Sequence, residues 1–404
     1  MFRTGLRSTG VLVSVLLAGL SSSAVSAGDQ PGVTTKEITV GSTFPFSGPA
    51  SSLGNVGKAF MGYIDLINDR GGVNGRKIKL VALDDAYTPS KSVEQTRKLV
   101  ESDEVALLFS PLGTASLSAT VKYVNMKKVP QLFIVTGGNK FTNYAEYPYT
   151  TTGLPSFDTE GKVYVKYISQ KLPGARIAIL YQNDDMGKDL VSAFKSYLKD
   201  DFDKLVTAKA YETTDPTVDS QIVSLKSSGA QALFIGGTPK FTAQALRKAG
   251  EIGWKPLTLV NYPSSSIAGT LAPAGIENST GVISGTFQKD ATDPRWADDS
   301  ATKEYRAFLS KYLPTGDVGE AAYTLGAIQG QILEQILKQC GNDLSRENII
   351  KQALSLKDFA PGMAAPGITI NTSPTNHQAW TSLQLQRFTG KNWEPIGSLI
   401  SAAD

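Results

Sequence analysis

The chain has 404 residues, 40 Lys and Arg against 37 Asp and Glu, and a single His and a single Cys. Near-neutral charge gives no electrostatic reason to seek nucleic acid or an anionic membrane, and one Cys excludes an intrachain disulfide. One His and one Cys also argue against a zinc site of the usual ligand set, and no cofactor is expected.

The first 27 residues have the pattern of an export signal. Arg3 and Arg7 give a positive start, Gly10 to Leu20 an apolar core, and Val25-Ser26-Ala27 a small-residue cleavage site. The apolar run is about half the ~20 residues that a membrane-spanning helix needs. Cleavage after Ala27 would release the protein outside the cytoplasm without a lipid-anchoring cysteine at the cut. The remaining 377 residues exceed what one core usually serves, so two domains are expected.

The spacing predicts a strand at Glu37 to Phe44, then a helix at Asn55 to Asp69 with Ala59, Tyr63, Leu66 and Ile67 on one face. Arg70-Gly71-Gly72 stops that helix, and Lys77 to Leu83 alternates as a strand. A helix near Ser90 to Glu101, a strand at Val105 to Phe109, a helix at Ala115 to Met126 and a strand at Gln131 to Thr136 follow. The rhythm restarts with helices at 159–170, 187–198, 217–228 and 241–250 between strands at 176–181, 205–211, 232–235 and 257–261. Helices at 301–312, 320–340 and 346–356 come next, and the chain ends in a β-hairpin, Ser382 to Phe388 and Trp393 to Leu399. Alternating units of this length predict an α/β protein with two doubly wound, helix-covered parallel sheets.

Three loops of the first half sit beyond strand ends, where open α/β sheets bind ligands. Phe46-Ser47-Gly48-Pro49 offers a hydroxyl and an aromatic wall. Pro111-Leu112-Gly113-Thr114 precedes a helix whose N–H groups suit an anion, and Thr136-Gly137-Gly138-Asn139 lets a ligand touch the backbone. Each loop taken alone is equally consistent with an ordinary cap or turn.

Three stretches, ITVGSTFPFSGPASSLG, GKAFMGYIDLINDRGGVNGRKIKLVALDD and RIAILYQNDDMGKDL, resemble the periplasmic solute-binding proteins of the leucine/isoleucine/valine-binding type. The likeness runs over essentially the whole chain after residue 27. It implies two lobes joined by three crossover segments, with a ligand closed between them for an ATP-driven (ABC) importer whose membrane permease is a transient partner. The expected division is 28–153 with 281–358 in the first lobe, and 154–280 with 359–404 in the second. The hinge is expected near Gly153, Thr280 and Phe359, and the protein is expected to be a monomer in the periplasm. In the family, hydroxyl and backbone N–H groups hold the ligand carboxylate; that role is carried to Thr114 and Thr136, with Gly113 and Gly137 alongside.

The loops of the second half are Asp184-Asp185-Met186-Gly187, Gly236-Gly237-Thr238-Pro239 and Asn261-Tyr262-Pro263-Ser264. The amino-acid binders typically carry a Tyr before the Gly at 187, an aromatic near 238 and a carboxylate near 263 for the ligand ammonium. This chain has Met186, Thr238 and Tyr262-Pro263-Ser264 instead. A buried ammonium without a countercharge is costly. The departure therefore favours a carboxylic acid without an amine; an amino acid stays the alternative, with Asp184 or Asp185 as its nearest partner. The expected ligand contacts are Phe46, Ser47, Gly113, Thr114, Thr136, Gly137, Met186, Thr238 and Tyr262.

Phe44 and Phe109 are expected in the core, Cys340 as a buried hydrophobe, Asp84 and Asp85 as turn residues, and His377 exposed in a polar loop. The sequence around Gly54 departs from a phosphate-binding loop at Ser52 and Ala59, and no G-x-S-x-G elbow occurs, so no catalysis is expected. A sensory module for a signalling partner and an exported enzyme are the rival classes.

Overall fold

The computed structural model describes residues 30–401 together with Met1, Phe2 and Gly5; the expected export signal lies almost wholly outside the described residues. Two separate sheets organise the chain, each covered by helices. The first is built from β1 (Glu37–Phe44), β2 (Lys77–Asp84), β3 (Leu107–Phe109), β4 (Gln131–Ile134) and β5 (Thr150–Thr152), in the order β2-β1-β3-β4-β5. All its pairings are parallel, with β1 in register along β2 from Glu37↔Lys77 to Phe44↔Asp84.

The second sheet takes β6 (Ile177–Gln182), β7 (Val206–Tyr211), β8 (Ala232–Gly236), β9 (Leu257–Val260), β10 (Ile283–Thr286), β11 (Ser382–Phe388) and β12 (Trp393–Ser401). Its order is β12-β11-β10-β9-β8-β6-β7; the C-terminal hairpin joins antiparallel to the otherwise parallel strands. Central strands buried on both faces are continuous apolar runs, as in LFI of β8, whereas β1 and β2 keep a partial alternation.

Apolar packing positions the first sheet's strand ends. Phe60, Phe109 and Phe133 are fully buried and stack successively, with ring centroids 5.7 Å apart in both pairs. Burying each such ring contributes about 1.5–3 kcal/mol relative to exposure. Phe44 and Cys340 are also buried, as expected. The helix Ala321–Cys340 lies along the helix Asn55–Asp69, which fixes its N-terminal end beside the carboxyl ends of the strands.

The chain passes between the sheets three times, and two passages lie later than expected. β10 is hydrogen-bonded between β9 and β11, so residues 283–286 belong to the second sheet and the second passage follows at Phe287 rather than Thr280. Residues 363–380 remain in the first core, where Met363, Ile368, Ile370 and Trp380 are buried, so the third passage is beyond Trp380 rather than at Phe359. The passages are bound side by side: the Trp380 indole N–H donates to the Gly153 carbonyl at 3.1 Å, and the Phe287 and Trp380 rings are 4.7 Å apart.

His377 is not exposed. Its Nδ1–H donates to the Thr150 carbonyl at 2.8 Å and the residue is only 2% accessible, because Gln378 bridges in parallel to Thr152. Burial pushes its imidazole below the ordinary range, with hydrogen bonds to the Thr150 and Pro374 backbone acting in the opposite direction.

Candidate functional site

The carboxyl ends of β1, β3 and β4 face those of β6, β8 and β9 across a cleft. It encloses a cavity of about 720 Å³, counting the part continuous with solvent. That size and its largely apolar wall suit a small organic molecule. Leu53, Leu112, Val135 and Leu154 come from the first side, Met186 and Tyr262 from the second.

The polar features are few. Gly113 caps the helix Thr114–Met126 with φ of +114°, a conformation that a side chain would strain, and a Cβ there would meet the Tyr87 ring at 3.1 Å. The helix N-terminal N–H groups have no partner one turn earlier, so they can receive an anion with help from the helix dipole. The Thr114 and Thr136 hydroxyls meet at 2.8 Å on this edge, and the Gly138 N–H donates to Thr136 Oγ1 at 2.9 Å.

Six of the nine expected contacts line this cavity: Gly113, Thr114, Thr136, Met186, Thr238 and Tyr262. Phe46, Ser47 and Gly137 do not. Phe46 folds back against Phe44, with ring centroids 5.6 Å apart. The Ser47 hydroxyl and N–H both donate to Asp84, at 2.5 and 3.1 Å. Burial opposes ionisation of Asp84, but these bonds, the Ala86 N–H and Lys91 hold its carboxyl down to about 2. The same loop reaches the cavity a few residues later, through Ser52 and Leu53. Gly137 instead seats the first passage: its carbonyl accepts from the Phe157 N–H at 2.7 Å, and a Cβ would strike the Pro155 carbonyl oxygen at 2.5 Å.

Several lining residues escaped the sequence reading: Tyr87, Phe157, Ser266 and Glu320. Tyr87 follows the strand β2, so its place beyond a strand end was a usable signal. Glu320 caps the helix Ala321–Cys340 by accepting from the Ala322 N–H at 3.0 Å. Nothing in the sequence distinguishes such a cap from a carboxylate that also faces a cleft.

Asp184 and Asp185 are occupied elsewhere. Asp184 caps the helix Asp185–Leu198 through the Gly187 N–H and accepts from Gln182, while Asp185 pairs with Lys140 at 2.9 Å. Neither lines the cavity.

The two sides are in contact around the cleft. The Asn139 N–H donates to Asp189 at 2.9 Å, and the Asp158 N–H to the Asn139 side chain at 3.0 Å. On another edge the Ala268 N–H donates to the Gly319 carbonyl at 3.5 Å and the Ala321 N–H to Ser266 Oγ at 3.4 Å. This is a closed arrangement. Among the described residues, no helix is long and apolar enough to cross a membrane.

The family model described as periplasmic binding protein matches residues 37–392. The chain is 25% identical over 399 residues to a Leu/Ile/Val-binding protein homolog 7 of Brucella abortus, covering 95% of each chain. Its fold is similar to that of a branched chain amino acid ABC transporter protein from Thermus thermophilus, solved with bound valine: TM-score 0.82, 16% identity, 91% of this chain and 97% of that one. A fatty acid ABC transporter substrate-binding protein from Thermomonospora curvata has a TM-score of 0.74 at 22% identity, covering 92% and 94% of the two chains.

Proposed function

The chain belongs to the periplasmic binding protein family, in its leucine/isoleucine/valine-binding branch, and from that premise we propose that it captures a small carboxylate-bearing solute in the periplasm and presents it to the membrane permease of an ABC importer. The observation that carries this reading is the meeting of the Thr114 and Thr136 hydroxyls at a helix N-terminus, on the wall of an apolar cavity between the lobes. A carboxylate there receives hydroxyl and N–H donors, while Leu53, Leu112, Leu154 and Met186 take an apolar body. No catalysis is involved.

Binding works by closure. Solute contacts reach both lobes only when the cleft is shut, so the solute stabilises the closed form, pivoting on the passages near Gly153, Phe287 and Trp380. The permease then meets surfaces of both lobes in one fixed arrangement, which distinguishes loaded from unloaded protein.

The preference for an acid without an amine rested on the absence of a carboxylate at 262–264. Glu320 in the same cleft removes that premise, so an amino acid fits at least as well. The relatives span both chemistries, one being named for Leu/Ile/Val and one structural neighbour for fatty acid.

The test is thermal unfolding of the exported chain against carboxylic and amino acids. A solute at 100 times its dissociation constant should stabilise by about 2.7 kcal/mol. Stabilisation that disappears in Thr114→Ala supports the reading; stabilisation untouched by that change would contradict it.

A further inference from the structure

Among the described residues, Glu320 is the one carboxylate that lines the cavity, and no Lys, Arg or His lines it. The residue is 7% accessible. Its neighbours are hydrogen-bond donors without charge: the Ala322 N–H, the Ser266 hydroxyl and the Asn55 side chain. None of the ion pairs among the described residues includes it, and the charged group that acts on it is another acid, Asp317. Burial pushes its carboxyl above the ordinary range, while those donors and the N-terminal dipole of a 20-residue helix hold it towards ionisation.

Three donors do not exhaust the roughly four acceptor positions of a carboxylate. Room has also been left for it. Gly269, from the opposite lobe, sits so close that a Cβ would lie 2.6 Å from Glu320 Oε2. Closure therefore seals a carboxyl group with no basic partner into the same cavity as the Thr114 and Thr136 anion subsite. A solute with a carboxylate and nothing else would leave Glu320 without a partner and set two carboxyl groups in one cavity, each opposing the other's ionisation. A zwitterion resolves both at once.

We propose that Glu320 is the countercharge for a protonated amine on the solute, which makes the ligand an amino-carboxylic compound rather than a simple acid. This rests on the solute-capture reading above. It assigns the amine to the first-lobe end of the helix Ala321–Cys340, sealed by Ser266 and Gly269, and not to the loop 261–264.

The experiment is calorimetric titration of the exported chain with paired probes that differ only in the amine: L-leucine with 4-methylpentanoate, L-valine with 3-methylbutanoate, and L-phenylalanine with 3-phenylpropanoate. The amine-bearing member should bind roughly 10- to 100-fold more tightly, the range of a charge-assisted hydrogen bond. Glu320→Gln should collapse that ratio towards one. Gly269→Ala, which displaces the carboxylate without removing it, should reduce the ratio as well. A merely structural Glu320 would weaken both members of a pair alike and leave the ratio standing, which would overturn the assignment. Tighter binding of the amine-free members would overturn it too, while leaving solute capture intact. Failure of every probe to bind would overturn the assignment together with the capture reading.

Discussion

The side-chain oxygens of Thr114 and Thr136 lie 2.8 Å apart, joining the start of the helix Thr114–Met126 to the loop after β4. Twenty-two residues separate them in sequence, and the parallel pairing of β3 with β4 brings them together. Each hydroxyl supplies one donor, and only one of them can donate within the pair. The other is left to face the cavity.

Thr136→Val keeps the shape but removes one hydroxyl of the pair and the acceptor of the Gly138 N–H, so the subsite loses its second polar partner. Loss of a hydrogen bond to a charged group costs about 1.5–3 kcal/mol, so solute affinity should fall roughly 10- to 100-fold. Thr136→Ser should retain most of it. Titration calorimetry on the three proteins checks this.

The elements legible in the sequence were those whose own residues carry the pattern. Ala59, Tyr63 and Ile67 face inward as their helical spacing requires, and β1, β6 and β8 stand where apolar, β-branched runs place them. β10 was not legible. Ile-Ser-Gly-Thr is short, contains a glycine and has no alternation, and it is a strand because β9 and β11 supply partners on both sides. His377 was misjudged for a related reason, since polar neighbours in sequence say nothing of a partner, Thr150, that lies 227 positions away. Loop positions could be found from strand ends, which located Gly113, Thr136 and Tyr262. Which side chain a loop turns inward depends on contacts such as Ser47 with Asp84, and these exist only in the fold.

Glu160 ties the first passage to the second lobe by accepting from the Tyr164 hydroxyl at 2.7 Å and from the Tyr262 N–H. Burial raises its carboxyl to about 7, with those two donors acting in the other direction. The folded protein thus holds this proton more tightly than the unfolded chain does. Its stabilising contribution is complete below about pH 4.5 and is lost as pH rises through about 7. Thermal unfolding of wild type and Glu160→Gln, compared from pH 4.5 to 8, should show the wild type losing ground by on the order of 3 kcal/mol. A constant difference across that range would contradict the account.

The two interlobe contacts of Asn139 and Lys140 should differ in weight. Lys140 and Asp185 are both about two-fifths exposed, so Lys140→Ala should change solute affinity by less than about 1 kcal/mol. Asp189 accepts the Asn139 N–H, and its carboxyl is pushed up by burial. Asp189→Ala leaves that N–H unpaired on closure, a cost of about 1–3 kcal/mol. It should appear as weaker solute binding with little change in the unfolding midpoint of the solute-free protein.

Gly113→Ala should damage the anion subsite without emptying the core. The backbone conformation costs an alanine about 1–3 kcal/mol, and its methyl would press on the Tyr87 ring. The expected result is a lower midpoint and weaker solute binding together. A midpoint equal to wild type would show that the cap tolerates a side chain.

The central claim is that a solute held at Thr114 and Thr136 closes the two lobes. Small-angle X-ray scattering of the purified protein, with and without the solute that raises its midpoint most, tests this directly. The account predicts a smaller radius of gyration on binding, and none of that contraction in the Thr114→Ala, Thr136→Val double variant at the same solute concentration. A radius that stays the same while calorimetry reports saturated binding would contradict it.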